Sequence, residues 1–387
     1  MYFNPKSMAH KLAHLLILSI FSVCVGVAAF APQNARAHEL NPTVMDYIVE
    51  DGVLTMALRL NAEAFLADLD LDGLADTNDA DGVGGYDSLQ DAPGVDIQAM
   101  FTKKVGGFLE GLSVNADETP LKLDLVSIQT PAIALPEVAR LSEVTFTSDV
   151  PRSTQALTMA WGQGYGEIVI RQQGVDEPYT GFLVGGEVTP PIAIYGGAAL
   201  TGWETFVGYI PVGFDHILPK GLDHILFVLG LFFLSLRMGA LLWQVTAFTA
   251  AHTVTLALGA LGIVNVPGSI VEPIIAASIV YVAVENIFSN GLNKWRPIVV
   301  FAFGLLHGLG FASVLGDFGL PTGQFIPALL GFNIGVELGQ LTVIAIAFLA
   351  VGLLFGNKPW YKSYIANPAS AVIALVGAYW VIERVFL

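Results

Sequence analysis

Cysteine is nearly absent: the chain's one thiol is Cys24, inside an apolar N-terminal run. Everything after that run therefore lacks disulfides and thiolate metal sites, and any metal there has to be held by imidazole, carboxylate or amide groups. Charge is scarce as well. Charged residues make up 13% of the chain against 54% hydrophobic ones, roughly half the charge of an ordinary soluble domain. Bases are the scarcest, with 17 Lys and Arg against 33 Asp and Glu for a net charge of −16. So little positive charge cannot neutralise phosphates, which excludes a nucleic-acid partner. No GxxxxGK[ST] run occurs, so ATP is not the chain's own energy source, and HExxH and GxSxG are missing too.

The charge that is present divides the chain into three. Residues 1–37 carry Lys6, Lys11 and Arg36 and no acid, residues 38–205 carry 26 acids and 7 bases, and residues 206–387 carry 7 of each. In the first part, Lys6 and Lys11 precede the apolar run Leu15–Phe30. Ala35-Arg36-Ala37 then sets small residues at −3 and −1 of a cleavage point. This layout predicts a secretory signal peptide over 1–37. A mature chain beginning at His38 would present an amino group and an imidazole together, which makes His38 a candidate terminal metal ligand.

Residues 38–205 alternate apolar and polar over short stretches such as Thr55-Met56-Ala57-Leu58-Arg59-Leu60 and Val144-Thr145-Phe146-Thr147, separated by Gly, Pro, Asp and Asn. They predict a mostly-β, exported domain of sandwich type. Within it, carboxylates Asp68, Asp70, Asp72, Asp76 and Asp79 fall at positions 1, 3, 5, 9 and 12 of a loop with Gly73 at position 6. That is the oxygen-ligand spacing of a calcium loop, similar to the DxDxDGxxDxxD repeat of thrombospondin type 3; a solvated acidic turn without metal is the alternative.

From residue 217 onward the chain breaks into apolar runs of bilayer-crossing length, read as 217–236, 240–264, 270–288, 297–317, 325–355 and 366–386. About six spans are expected, forming a polytopic α-helical membrane bundle after the β domain. Arg237, Lys294, Arg296, Lys358 and Lys362 all fall in the odd-numbered connections, which predicts that those loops face the cytoplasm. The acidic domain and the C-terminus then face the periplasm of a bacterial inner membrane. Ionisable groups at membrane depth are costly and face a protein interior or a polar path. Here they are His216, His224, His252 and His307, with Asp223, Glu285 and Glu337, and Asn333 preceding Glu337 by four residues on one helix face. Asp215-His216 and Asp223-His224 flank Pro219 and Gly221, which interrupt a helix. Adjacent residues diverge on a helix, so each imidazole is expected to find its hydrogen-bond partner on another span. Imidazole with carboxylate suits nickel, cobalt, zinc or copper rather than calcium or magnesium.

The runs GLDHILFVLGLFF at 221–233, AFTAAHTVTLALGALG at 247–262, VEPIIAASIVYVAVENIF at 271–288, FGLLHGLGFASVL at 303–315 and GFNIGVELGQL at 331–341 together resemble the HupE/UreJ membrane proteins, in a long form with an exported N-terminal domain. The resemblance implies a nickel or cobalt permease, or an accessory protein of hydrogenase or urease metal supply. Shorter members carry HPxxGxDH; Gly221, Asp223 and His224 match its second half, while His216 stands one residue farther from the Asp, with Ile217 in place of Pro.

Three functions follow as expectations. The first is a divalent-metal permease in which the ion passes His216, Asp223 and His224, meets His252, His307 and Glu337, and leaves past Glu285. The second is a non-transporting metal-binding receptor or assembly factor, with an unknown periplasmic partner on the acidic domain. The third, an intramembrane metalloenzyme, has no supporting motif, and the chain is read as no enzyme.

Overall fold

The computed structural model describes residues 41–74, 77, 83–132, 140–289, 295–318 and 323–386; the leader, His38, Asp76 and Asp79 lie outside the described residues. The acidic domain opens with the hairpin β1 (Thr43–Glu50) and β2 (Val53–Leu60), followed by the helices α1 (Ala62–Leu66), α2 (Val83–Gln90) and α3 (Gly94–Gly111). Then come β3 (Leu112–Ala116), β4 (Thr119–Pro120), β5 (Asp124–Gln129), β6 (Ser142–Asp149), β7 (Ala156–Trp161), β8 (Ile168–Gln172), β9 (Thr180–Leu183) and β10 (Ile192–Ala193). They form a six-stranded sheet in the order β5-β6-β2-β1-β8-β9 and a four-stranded sheet in the order β10-β7-β3-β4. Only the β1–β8 pair is parallel among those described.

The alternation read in β2 is real: Leu54, Met56, Leu58 and Leu60 are fully buried while the residues between them face outward. They meet Tyr47, Phe146, Met159 and Trp161 in one core, which α3 covers with Ile97, Phe101 and Phe108. That helical spacing adds a helix to a domain read as strands and turns. A buried ion pair closes the other side. Arg140 Nε donates to Glu63 Oε1 at 2.6 Å, and its two Nη atoms donate to the carbonyls of Ala92 and Leu89. Burial outweighs the guanidinium and holds the Glu63 carboxyl above its ordinary range.

The second half is helical: α4 (Gly202–Ile217), α5 (Leu222–Leu234), α6 (Met238–Ala260), α7 (Gly268–Phe288), α8 (Arg296–Phe318) and α9 (Phe325–Ala347). Helix α9 continues through a π-helical turn to Phe355, and a second π-helical turn at Lys362–Ala366 leads into α10 (Asn367–Phe386). Among the described residues, four helices are long and apolar enough to cross a membrane: α6, α7, Phe325–Phe355 and Lys362–Phe386. The pair α4 and α5 qualifies only jointly, bent by 75°, and Arg296–Phe311 is a shorter apolar helix. By this measure four or five spans stand where the sequence suggested six.

The first span differs from its expected form. It was expected over 217–236, but the helix breaks at Leu218–Gly221 and an earlier helix, α4, carries the chain in. The expected domain boundary at 205/206 falls inside α4. That helix starts at Gly202 behind a capping box, with Thr201 Oγ1 accepting from the Glu204 amide and the Glu204 carboxylate accepting from the Thr201 amide.

Close backbone approach replaces hydrophobic force between helices in lipid. A Cβ added at Gly335 of α9 would run into the Ile210 carbonyl and the Phe214 amide of α4, and one at Gly308 of α8 into the His252 carbonyl of α6. Val at either position is expected to destabilise the bundle by about 1–3 kcal/mol. Gly239→Val, whose Cβ meets nothing within 4 Å, should change stability by less than about 0.5 kcal/mol. Denaturant unfolding in detergent reads the difference.

Candidate metal centre

The break after α4 builds the site. Pro219 supplies no amide hydrogen, the last turn of α4 closes with the Leu218 amide on the Phe214 carbonyl, and α5 starts afresh from Gly221. His216 in the last turn of α4 and His224 in the first turn of α5 thereby meet with ring centroids 5.0 Å apart. Helix α6 adds His252, 5.7 Å from His224 and 6.3 Å from His216. Helix α8, drawn onto α6 at Gly308, adds His307, 5.0 Å from His224. One ligand nitrogen from each of His216, His224 and His252 lies within 4.8 Å of the others.

Hydrogen bonds decide which nitrogen each ring turns inward. His307 Nδ1 lies 2.9 Å from the Phe303 carbonyl, which can only accept, so Nδ1 carries the proton. His224 Nδ1 lies 3.0 Å from Asp223 Oδ1, a carboxylate acceptor, with the same result. His252 Nδ1 lies 3.2 Å from Asn333 Oδ1, and the Asn333 amide is oriented by Nδ2 donating to the Leu329 carbonyl. His252 is therefore the donor there as well. Three imidazoles are held in one tautomer, each with the lone pair on Nε2. The Nε2 atoms of His216, His224, His252 and His307 are all buried with no hydrogen-bond partner among the described residues. Lone pairs gathered without a donor are what a cation satisfies.

Asp223 was read as a ligand whose imidazole partners would come from other spans. The structure sets it behind His224, its own neighbour, because both lie where α5 begins and the carboxylate also accepts the His224 amide at 2.7 Å. Asn333 is brought to the cluster through His252. Glu337 instead accepts from Thr246 at 2.7 Å, and Glu285 accepts from Arg296 Nη1 at 2.7 Å. Arg296, counted from the sequence as a loop charge, is buried within the bundle. No motif flags it; Pro297 at the next position, a first-turn residue, is the one hint of a helix start there.

Phe227, Phe248, Phe311 and Phe332 wall the cluster, Phe311 lying 4.0 Å from the His216 ring. Above it, Lys220 in the break between α4 and α5 pairs with Glu167 of the acidic domain. Val169 of β8 packs into the same apolar cluster as Ile217. In the acidic loop, Gly73 has the positive φ, +71°, that its turn requires. Asp72 uses both carboxylate oxygens on the amides of Gly164 and Gly166, Asp70 accepts from the Asp72 amide, and Asp68 pairs with Lys104 at 3.6 Å.

No curated protein and no solved structure is significantly similar to the chain. Residues 196–384 match the family model described as HupE / UreJ protein. The matched region takes in α4 to α10 and all four clustered histidines, and over it the membrane half of the chain belongs to the HupE/UreJ family.

Proposed function

We propose that the protein is a permease for a divalent transition metal, nickel or cobalt before zinc or copper, set in a bacterial inner membrane with the acidic domain outside. The observation that carries this reading is that His216, His224 and His252 bring ligand nitrogens within 4.8 Å of one another in an apolar helical bundle, with His307 beside His224, and that all four Nε2 atoms are buried and unpartnered among the described residues. Their chemistry suits a borderline cation. The family is associated with nickel or cobalt transport or accessory roles, which agrees with that donor set. A membrane potential supplies about 4.6 kcal/mol per 100 mV for a doubly charged ion, enough to drive entry without ATP.

Purified protein in liposomes with an inside-negative potential is expected to take up Ni2+ saturably. His252→Ala and His307→Ala should each lower the rate at least tenfold. Equal uptake by wild type and both variants would defeat the pathway. A stoichiometric ion that is retained while no flux occurs would assign the chain to the accessory reading.

A further inference from the structure

The strongest unexplained feature lies at the opposite end of the bundle from the acidic domain. Arg296 is 2% exposed, although it opens α8. It donates to Glu285 Oε2 of α7 at 2.7 Å, to Gln244 Oε1 of α6 at 3.0 Å and to Asn286 Oδ1 of α7 at 3.4 Å. Asn286 Nδ2 in turn donates to the Gly230 carbonyl of α5 at 2.7 Å and to Ser370 Oγ of α10 at 3.1 Å. One guanidinium thus ties five helices together.

Its position relative to the histidines follows from helix geometry. Gln244 precedes His252 by eight residues on α6, and Arg296 precedes His307 by eleven on α8. At 1.5 Å per residue the Arg296 network lies roughly 12–16 Å beyond the metal cluster. Within the interval α6 and α9 share a buried polar pair, Thr249 with Gln340 at 3.1 Å, whereas the Thr246–Glu337 bond at 2.7 Å lies on the exposed face of the bundle. Gln340 is fully buried, and its Nε2 has no partner among the described residues. Buried polar side chains therefore run from His252 and Asn333 through Thr249 and Gln340 toward Gln244 and Arg296.

We propose that the Arg296–Glu285 ion pair is the inner gate of the metal path, and that its opening releases the cation. The proposal rests on the permease reading. A guanidinium does not lose its proton, so it repels any cation arriving along the polar line for as long as it stays in place. When the pair parts, the obstacle withdraws and a carboxylate, Glu285, is left to receive the ion. An ion pair serving only as glue would need neither a position at the end of that line nor a charge of this sign.

Thiol labelling tests this, because Cys24 is the chain's one native cysteine and can be replaced by Ser. Thr249→Cys sets a thiol in the interval, at a site that is 5% exposed. A membrane-impermeant maleimide is added to the face opposite the acidic domain. The expected result is slow labelling with Arg296 present, at least tenfold faster labelling with Arg296→Gln, and slow labelling restored by Arg296→Lys. Equilibrium Ni2+ binding by Arg296→Gln within twofold of wild type confirms that the variant is folded. If it is not, the double variant Arg296→Gln with Glu285→Gln takes its place, since it removes the guanidinium without leaving a buried carboxylate unpaired, and the same tenfold acceleration is expected. Unchanged labelling in the folded variant overturns the gate. Absence of Ni2+ flux in wild type overturns the permease reading instead, and the labelling ratio still decides whether Arg296 closes this end.

Discussion

Replacing His224 with alanine is expected to weaken Ni2+ binding by two to three powers of ten. His224 is the hub of the cluster, its ring 5.0 Å from both His216 and His307 and 5.7 Å from His252. Structural zinc sites of four ligands bind their ion with about 10–16 kcal/mol, roughly 2.5–4 kcal/mol per ligand, and a loss on that scale is about two to three decades in Kd. Alanine also strands the Asp223 carboxylate that the imidazole had engaged. Asn333→Leu removes only the group that orients His252, and its effect should be smaller, about 10- to 100-fold. Equilibrium dialysis of the detergent-purified protein against Ni2+ measures both. An affinity within threefold of wild type for His224→Ala would sink the histidine cluster as a metal centre.

Arg140→Met is expected to produce the largest loss of stability, about 3–5 kcal/mol, because it leaves Glu63 buried without its counter-charge. The loss should depend on pH with a definite sign. Burial already holds the Glu63 carboxyl high with Arg140 beside it, and without the guanidinium it rises further. A folded-state pKa above the unfolded one means that the native state binds more protons, so stability falls as pH rises from the ordinary carboxylate range through the raised value. The deficit relative to wild type should therefore be smallest below the ordinary carboxylate range, where Glu63 is protonated in both states, and largest at neutral pH. Pulse proteolysis across urea at a series of pH values reads it, and a deficit that grows toward acid would refute the assignment.

Those elements that depend on local pattern were legible in the sequence. The hydrophobic runs at 240–264, 270–288, 325–355 and 366–386 correspond to helices within a few residues, because apolarity over twenty residues has few other solutions. The alternation of β2 was equally direct. What stayed hidden depended on contacts distant in sequence or on a signal outweighed by its surroundings. Thr201 and Glu204 are a capping box three residues apart, but they close an acidic stretch that otherwise reads as β. The pairing of Asp223 with His224 contradicts the divergence of neighbours along a helix, because it occurs at a helix start, where one carboxylate can turn back onto both the amide and the ring of the next residue. Arg296 read as a loop charge, since only the packing of Gln244, Glu285 and Asn286 around it reveals that it is inside. His216, out of register with the HPxxGxDH pattern, reaches the cluster because the 75° bend, rather than helical spacing, brings it there.

That bend also affects the electrostatics of the site. A fresh helix begins at Leu222 with no side chain capping it from Gly221, so the partial positive charge of its dipole, about half an elementary unit, falls at the turn that carries His224. Left alone, such an end attracts anions, as helix starts that hold phosphate do. Asp223 reverses this from within the first turn, its one carboxylate covering the exposed amide of His224 while steadying the ring. The carboxylate thus places negative charge beside lone pairs that already suit a cation, from a residue that need not touch an ion at all.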